Sequence, residues 1–468
     1  MMKQSNQETD SALDHQMDRA LSSITDFVQS IRFDDIPSEA WARARDILVD
    51  SLGCAIGGRD CLAGTAASSL AADIEGTGEG AVIGRSRGTS TDLAAFWNAA
   101  MIRYLDYNDS GPSGGHPSDM LGAHIALSRR AGASGRQMLT AIVVGHEVSN
   151  RISDRVLFDD RRLDAGYAVA IGAVAAGCML LGLGPAPTRH ALSISATSTV
   201  PIRASRSGQL SDLKGFATAL SARDAVFYIH LAESGLSGPT EPFEGRHGIV
   251  ELLHGKAGGL GLASFDGWTI LRTRFKYWPA AYNTHPAIWA ALELRRKVAA
   301  NDIGSVTLGV NNRAWHESGS EPEKWNPKTR GTADHSLPFL FSRAFLDGKI
   351  DQNSFHPDAI SEQAVRNLMH KISVVVDAGM AAQRPRLVLG CRAEITTTQG
   401  ESHRVLIDGI PGHESNPLSR EDVARKFMGL SEPTLGTAAE QAFEAIWNVE
   451  EADSFGKVLD SLVPEGRA

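Results

Sequence analysis

The sequence predicts a mainly α protein: a large all-helical domain, residues 1–266 plus 413–468, carrying an inserted smaller α+β lid domain, 267–412. Three observations predict it. Up to about residue 265 the chain runs in Ala- and Gly-rich stretches whose large apolar side chains recur with a helical period. From about Gly267 period-two runs take over, and after Gly412 the helical texture returns.

The elements follow in order. Trp41, Ile47, Leu48 and Leu52 alternate with Arg43, Arg45, Asp46 and Asp50, and Pro37-Ser38 and Gly57-Gly58 punctuate the ends of this helix. Helices are predicted at 91–104, 121–130, 135–151 and 215–233. The uncharged run 165–188 approaches a membrane span in length, but its small residues and missing aromatic flanks predict a helix buried on all sides. Strands are predicted by three runs: Val306, Leu308, Val310; Ile372, Val374, Val376; and Leu387, Leu389, Cys391, Ala393, Ile395. The third forms a hairpin through Gln399-Gly400-Glu401 with Arg404-Val405-Leu406-Ile407. Helices at 286–299, 338–346 and 361–371 lie between these strands, and Ser419-Arg420-Glu421-Asp422 is the capped start of the returning helix.

Composition narrows the function. The 468 residues carry a net charge of −9 with no basic run, which gives nucleic acid and anionic membrane surfaces no electrostatic footing. An anionic substrate therefore needs a local cluster of Lys, Arg and His. Cys54, Cys61, Cys178 and Cys391 have neither zinc-site nor redox-pair spacing, so no metal is expected and a reducing, cytoplasmic setting is. The polar start, with Glu8, Asp10, Asp14 and Asp18, does not read as an export signal. Phosphate-loop, dinucleotide, His-Glu-x-x-His and Gly-x-Ser-x-Gly signatures are absent from the sequence.

One loop concentrates chemistry. Arg103-Tyr104-Leu105-Asp106-Tyr107-Asn108-Asp109-Ser110, followed by Gly114-Gly115-His116-Pro117-Ser118-Asp119, sets carboxylates, an amide, a hydroxyl and an imidazole between two apolar helices. It is a candidate active-site wall. Short polar side chains also serve turns and caps. His116, held between Gly115 and Pro117, points to more, since a carboxylate beside an imidazole tunes proton transfer towards neutral pH.

Other candidates are scattered. Lys214 lies at the entry of an Ala-rich helix and Lys276 sits among aromatic residues, where a desolvated ammonium calls for an anion; a lone lysine is far more often a solvated surface group. His285 would bring a second imidazole beside Lys276, or end a helix. Arg203 and Arg206 suit bidentate recognition of carboxylates or a solvated loop. Asn108, Asp109, Ser110 and Tyr282 complete the candidate substrate contacts. Asp334-His335-Ser336-Leu337-Pro338 could do acid–base chemistry but reads better as an N-cap.

Together these segments resemble the MmgE/PrpD family, along with Asp46-Ile47-Leu48-Val49-Asp50-Ser51-Leu52-Gly53-Cys54, Gly238-Pro239-Thr240-Glu241-Pro242-Phe243-Glu244-Gly245 and Asn416-Pro417-Leu418-Ser419. The family includes 2-methylcitrate dehydratase, cis-aconitate decarboxylase and iminodisuccinate epimerase. The resemblance implies a helical domain with a smaller lid, a homodimer, and an active site between the domains that contains Asp106, His116, Lys214, Lys276 and, as a weaker match, His285. Asn108 is closer to the dehydratase branch. The chain departs from the family pattern at Ala165-Gly166-Tyr167, where a His-Pro pair is frequent, and at Asn283, where the dehydratases often place His.

The chemistry can be argued from the residues. Removing a proton α to a carboxylate requires a base, and cations to hold the enolate-like product. Four scattered cysteines argue against the thiolate-held cluster of the Fe-S aconitases. The expectation is a cofactor-independent lyase on a small polycarboxylate, dehydrating a 2-methylcitrate-type substrate. Asp106 and His116 would transfer protons, and Lys214 and Lys276 would hold carboxylates. The alternatives are an epimerase or isomerase of an iminodisuccinate-type dicarboxylate, a cis-aconitate-type decarboxylase, and a non-enzymatic helical binding protein.

Overall fold

A computed structural model describes residues 18–464 except 75, 77, 157–162, 257 and 383–388. Glu8, Asp10 and Asp14 of the polar start, and Leu387 of the third strand run, lie outside the described residues. Among the described residues the architecture is mainly helical with one four-stranded sheet.

Helices α1 (Ser38–Gly57), α2 (Thr91–Tyr104), α3 (Gly135–Val156), α4 (Gly166–Leu180) and α5 (Ala217–Glu233) supply about half of the larger buried cluster. Every residue of α4 but Met179 is buried, in keeping with its all-apolar surface. The helix packs so closely on α3 that a Cβ on Gly172 would lie 2.7 Å from the Gly145 carbonyl oxygen. The uncharged run is not one span: Gly182 turns left-handed (φ 63°) and Gly184-Pro185 opens a new helix, Pro185–Ser198. No helix among the described residues is long and apolar enough to cross a membrane.

The smaller cluster, Ala280 to Ile395, is built on the sheet. Its strands β1 (Ile303–Val310), β2 (Ile372–Val376), β3 (Gly390–Thr397) and β4 (Ser402–Asp408) lie in the order β2-β1-β3-β4. β1 pairs with β2 in parallel (Val306 opposite Ile372) and with β3 antiparallel (Val310 opposite Cys391). β3 and β4 form the expected hairpin, turning at Gly400 with φ 85°. Helices α6 (His285–Leu294) and α7 (Leu337–Asp347) add to this core.

Some expected bounds shift. The helix at 286–299 stops at Leu294, and the one at 361–371 divides into Pro357–Ser361 and Gln363–Met369 around an extended Glu362, whose ψ of 127° no helix permits. The larger cluster takes its residues from Ala20 to Phe275 and again from Val423 to Leu462. Helix α8 (Arg420–Leu435) opens that return, capped reciprocally by Ser419 and Asp422 as the sequence suggested.

Candidate active site

Helix α2 places Arg103 in its last turn, where a cation suits the negative end of the helix, and Leu105 closes it. Asp106 then turns left-handed (φ 50°), a conformation Asp tolerates better than most residues. Its carboxylate is fully buried. Oδ1 contacts the Arg103 guanidinium, lies 3.9 Å from Lys214 Nζ and 3.5 Å from His116 Nε2, while Oδ2 lies 3.1 Å from Lys276 Nζ. Burial alone would raise this carboxyl. The Lys214, Lys276 and Arg103 charges outweigh it and hold Asp106 well below the usual carboxylate range. The cations thus favour its charged form.

His116 is set by its flanks. Gly114 and Gly115 have φ of 91° and 75°; a Cβ on Gly114 would meet the Arg313 guanidinium at 2.5 Å. Pro117 opens the short helix Pro117–Met120 behind it. The ring's Nδ1 lies 2.6 Å from the Asp109 carbonyl oxygen, which can only accept, so the hydrogen sits on Nδ1. Burial, then Arg103 and Lys276, push the imidazole pKa well below its ordinary value. The neutral ring therefore presents a bare Nε2 lone pair at the cavity wall.

Asn108 and Asp109 lie behind that wall, both fully buried. Asn108 donates from Nδ2 to Ser118 Oγ and Asp119 Oδ1, each at 2.8 Å. Asp109 Oδ1 accepts from the Ser118 amide at 3.1 Å and hydroxyl at 2.6 Å, and its other oxygen is 3.2 Å from His146 Nε2. Their bonds fold the loop that presents His116. Asp119 is pushed up to about 7, by burial in spite of Arg103.

The lysines come from far along the chain. Burial brings Lys276 down to about 8 against the pull of Asp106. Lys214, also lowered by burial, donates to both oxygens of Asp334 at 3.0 and 3.2 Å. Asp334 in turn accepts from His335 Nδ1 at 2.6 Å. Burial and Lys214 bring His335 down to about 4. Asp334, Asp106 and His335 are close enough together to invite a metal ion. Lys214 and Lys276 already neutralise both carboxylates, so the donor set does not fit a divalent cation.

A cavity of about 350 Å³ opens on this cluster. Seven Lys or Arg side chains and four acidic ones line it, a local excess of positive charge in a chain of net −9. Arg206 is clamped by Asp164 through bonds of 2.7 and 3.2 Å. Arg203 Nη2 lies 4.0 Å from Glu317, and Ser110 is also on the wall. Arg103 Nη2, Arg274 Nε and Nη1, and the Tyr282 hydroxyl are buried without hydrogen-bond partners among the described residues. These donors suit an oxyanion. His285 is not on the wall: its Nε2 lies 3.4 Å from the Ala280 carbonyl, and burial, then Lys276, takes it down to about 3.

Sequence reasoning named Asp106, His116, Lys214 and Lys276, and the structure brings all four together. It missed Arg103, Asp164, Arg274, Arg313 and Lys324, each an ordinary charged residue until the chain folds. Asp334 and His335 were outweighed by a capping role that belongs to the next residue, Ser336, which accepts from the Phe339 amide at 3.2 Å. The unusual adjacency of carboxylate and imidazole was the available signal.

Residues 22–258 match the MmgE/PrpD N-terminal domain and residues 278–451 the MmgE/PrpD C-terminal domain. The chain is 26% identical to the 2-methylcitrate dehydratase of Escherichia coli over 395 residues, covering 78% of this chain and 79% of that protein. It is 25% identical to the human cis-aconitate decarboxylase over 391 residues, 79% of each. Aspergillus oryzae has a cis-aconitate decarboxylase-like protein, oryM, that is 22% identical over 453 residues, 90% of this chain and 92% of the relative. Dehydratases and decarboxylases are thus about equally similar.

Proposed function

The chain belongs to the MmgE/PrpD family, and on that premise we propose that it is a cofactor-independent lyase that removes the α-proton of a small polycarboxylate and expels water, as from a 2-methylcitrate-type substrate. The observation that carries this reading is the bare Nε2 of His116 on the cavity wall beside a buried cation cluster: Arg103, Lys214 and Lys276 around Asp106. The substrate carboxylates take the free donors of Arg103, Arg274 and Tyr282. His116 accepts the proton from carbon. Lys276 and Arg103 stabilise the enolate-like charge left behind, and the hydroxyl departs as water. Asp106 does not move protons in this scheme; it positions the cations.

The reading extends to motion and assembly. Residues 267–412 act as a lid over the helical body and close on the substrate, and the working unit is a homodimer. The cavity wall supports closure, since Arg103, His116 and Arg206 come from one side of the junction and Asn283, Arg313 and His335 from the other. No metal takes part, so turnover survives chelation.

A second reading, proton exchange on a dicarboxylate without water loss, draws on Asn283. This cavity residue donates to Glu317 at 2.8 Å and accepts from Ser318 at 3.1 Å, and an amide does not titrate, so it cannot deliver a proton at the place where dehydratases of the family often have His. One experiment separates the readings: purified protein in deuterated water with 2-methylcitrate, citrate, cis-aconitate and iminodisuccinate. Water loss supports the dehydratase. Carbon dioxide release or bare deuterium exchange replaces it with the decarboxylase or epimerase, and silence with all four overturns the lyase.

A further inference from the structure

We propose that His335 is a second catalytic residue, the acid that protonates the departing hydroxyl, with Asp334 as its positioning partner. The inference rests on the dehydratase reading and deepens it. Elimination of water breaks two bonds, C–H and C–O, and His116 serves only the first. Hydroxide leaves poorly unless it takes a proton as it goes.

The geometry points to His335 for the second bond. Its ring is on the cavity wall, 20% exposed, and lies in the chain between Ala333 and Leu337 of the smaller cluster, whereas His116 comes from the loop ahead of the helix Pro117–Met120. An oxygen of Asp106 and a ring nitrogen of His335 lie within 4.8 Å, and His116 Nε2 is 3.5 Å from Asp106, so the two imidazoles flank one carboxylate. Their anchors differ. The Nδ1 of His116 is held by a carbonyl, that of His335 by the Asp334 carboxylate at 2.6 Å. A carboxylate behind Nδ1 orients the ring and stabilises its imidazolium form.

The charged groups facing His335 are Asp334, Asp106 and Lys214. Burial and Lys214 favour the neutral ring in the empty site; the negative charge of a bound polycarboxylate opposes both and draws a proton from solvent onto Nε2. The step then balances. His116 Nε2 takes the α-proton, the C–H electron pair becomes the new C=C bond, and the C–O bond breaks. The oxygen takes the Nε2 proton of His335 and leaves as water. His116 ends protonated and His335 neutral, and exchange with solvent resets both.

The test compares His335→Gln with the unaltered protein on 2-methylcitrate and citrate in deuterated water. We expect water loss to fall by about 10²–10⁴-fold while deuterium still enters the α-position and tricarballylate binds normally. Because chloride needs no proton to leave, the citrate analogue with chloride in place of hydroxyl should be dechlorinated by His335→Gln within about threefold of the unaltered rate. That arm also reports that the variant is folded with its base intact. Near-normal water loss from His335→Gln overturns the proposal, and so does equal loss of water elimination and chloride elimination. If the unaltered protein exchanges deuterium but expels no water, the dehydratase reading fails and takes this role with it.

Discussion

The ammonium of Lys276 holds Asp106 at two points, lying 3.1 Å from its carboxylate and donating at 2.7 Å to its main-chain carbonyl across a separation of 170 residues. One lysine thus fixes both the charge and the backbone of the residue that collects the other cations.

Replacing Asp106 by Asn tests that arrangement. The substitution keeps the shape but leaves Arg103, Lys214 and Lys276 facing one another in a buried site, and breaking a buried ion pair from one side costs roughly 3–5 kcal/mol. Urea unfolding should show a loss of that order, and Lys276 should titrate at lower pH because the carboxylate that favours its charge is gone. Unchanged stability would mean that the cations neutralise one another through groups other than Asp106.

Lys276 gives the site a pH limit. With a pKa of about 8 it is an ammonium at neutral pH and a neutral amine above. Affinity for tricarballylate should fall by about tenfold per pH unit once pH passes 8, and Lys276→Met should flatten that dependence. Stability moves the other way. Between the folded value of about 8 and the ordinary lysine value of 10.5 the unfolded chain binds more protons, so the contribution of this group to stability rises with pH in that window. Binding calorimetry and thermal unfolding on either side of pH 8 check both signs; affinity constant through pH 9 contradicts the assignment.

Much of this was legible in the sequence, for identifiable reasons. Helix bounds followed from local punctuation: Thr91–Tyr104 was read to the residue, and the Ser419 cap was plain because capping is a matter of neighbours. The pairing of β1 with β2 was not legible, since sequence alone does not say which strands meet. In the site, Asp106 and His116 stood out because one loop holds both. Asn108 and Asp109 stood out equally, yet their side chains face Ser118, Asp119 and His146 rather than the cavity, a direction that periodicity does not encode in a loop. The ion pair of Asp334 with Lys214, 120 residues earlier, is visible only in the folded chain.

The proposed closure of residues 267–412 on the substrate should be visible in the backbone. Residues 275–285 join the two cores and carry Lys276, Tyr282 and Asn283 to the cavity. Amide hydrogen exchange through this segment should slow when tricarballylate binds. Exchange that ignores the inhibitor would mean that the cavity is fully formed beforehand and that no closing motion accompanies binding.

The rate of deuterium entry at the α-carbon of a turned-over polycarboxylate, measured in His116→Gln and Lys276→Met, distinguishes most directly whether His116 Nε2 takes the α-proton while the lysines hold charge. Exchange in His116→Gln should be slower by about two to four orders of magnitude, with tricarballylate affinity unchanged. Lys276→Met should bind the inhibitor more weakly and exchange more slowly. Near-normal exchange in His116→Gln, or an Lys276→Met variant that binds tricarballylate normally yet exchanges nothing, would instead make the lysine the base.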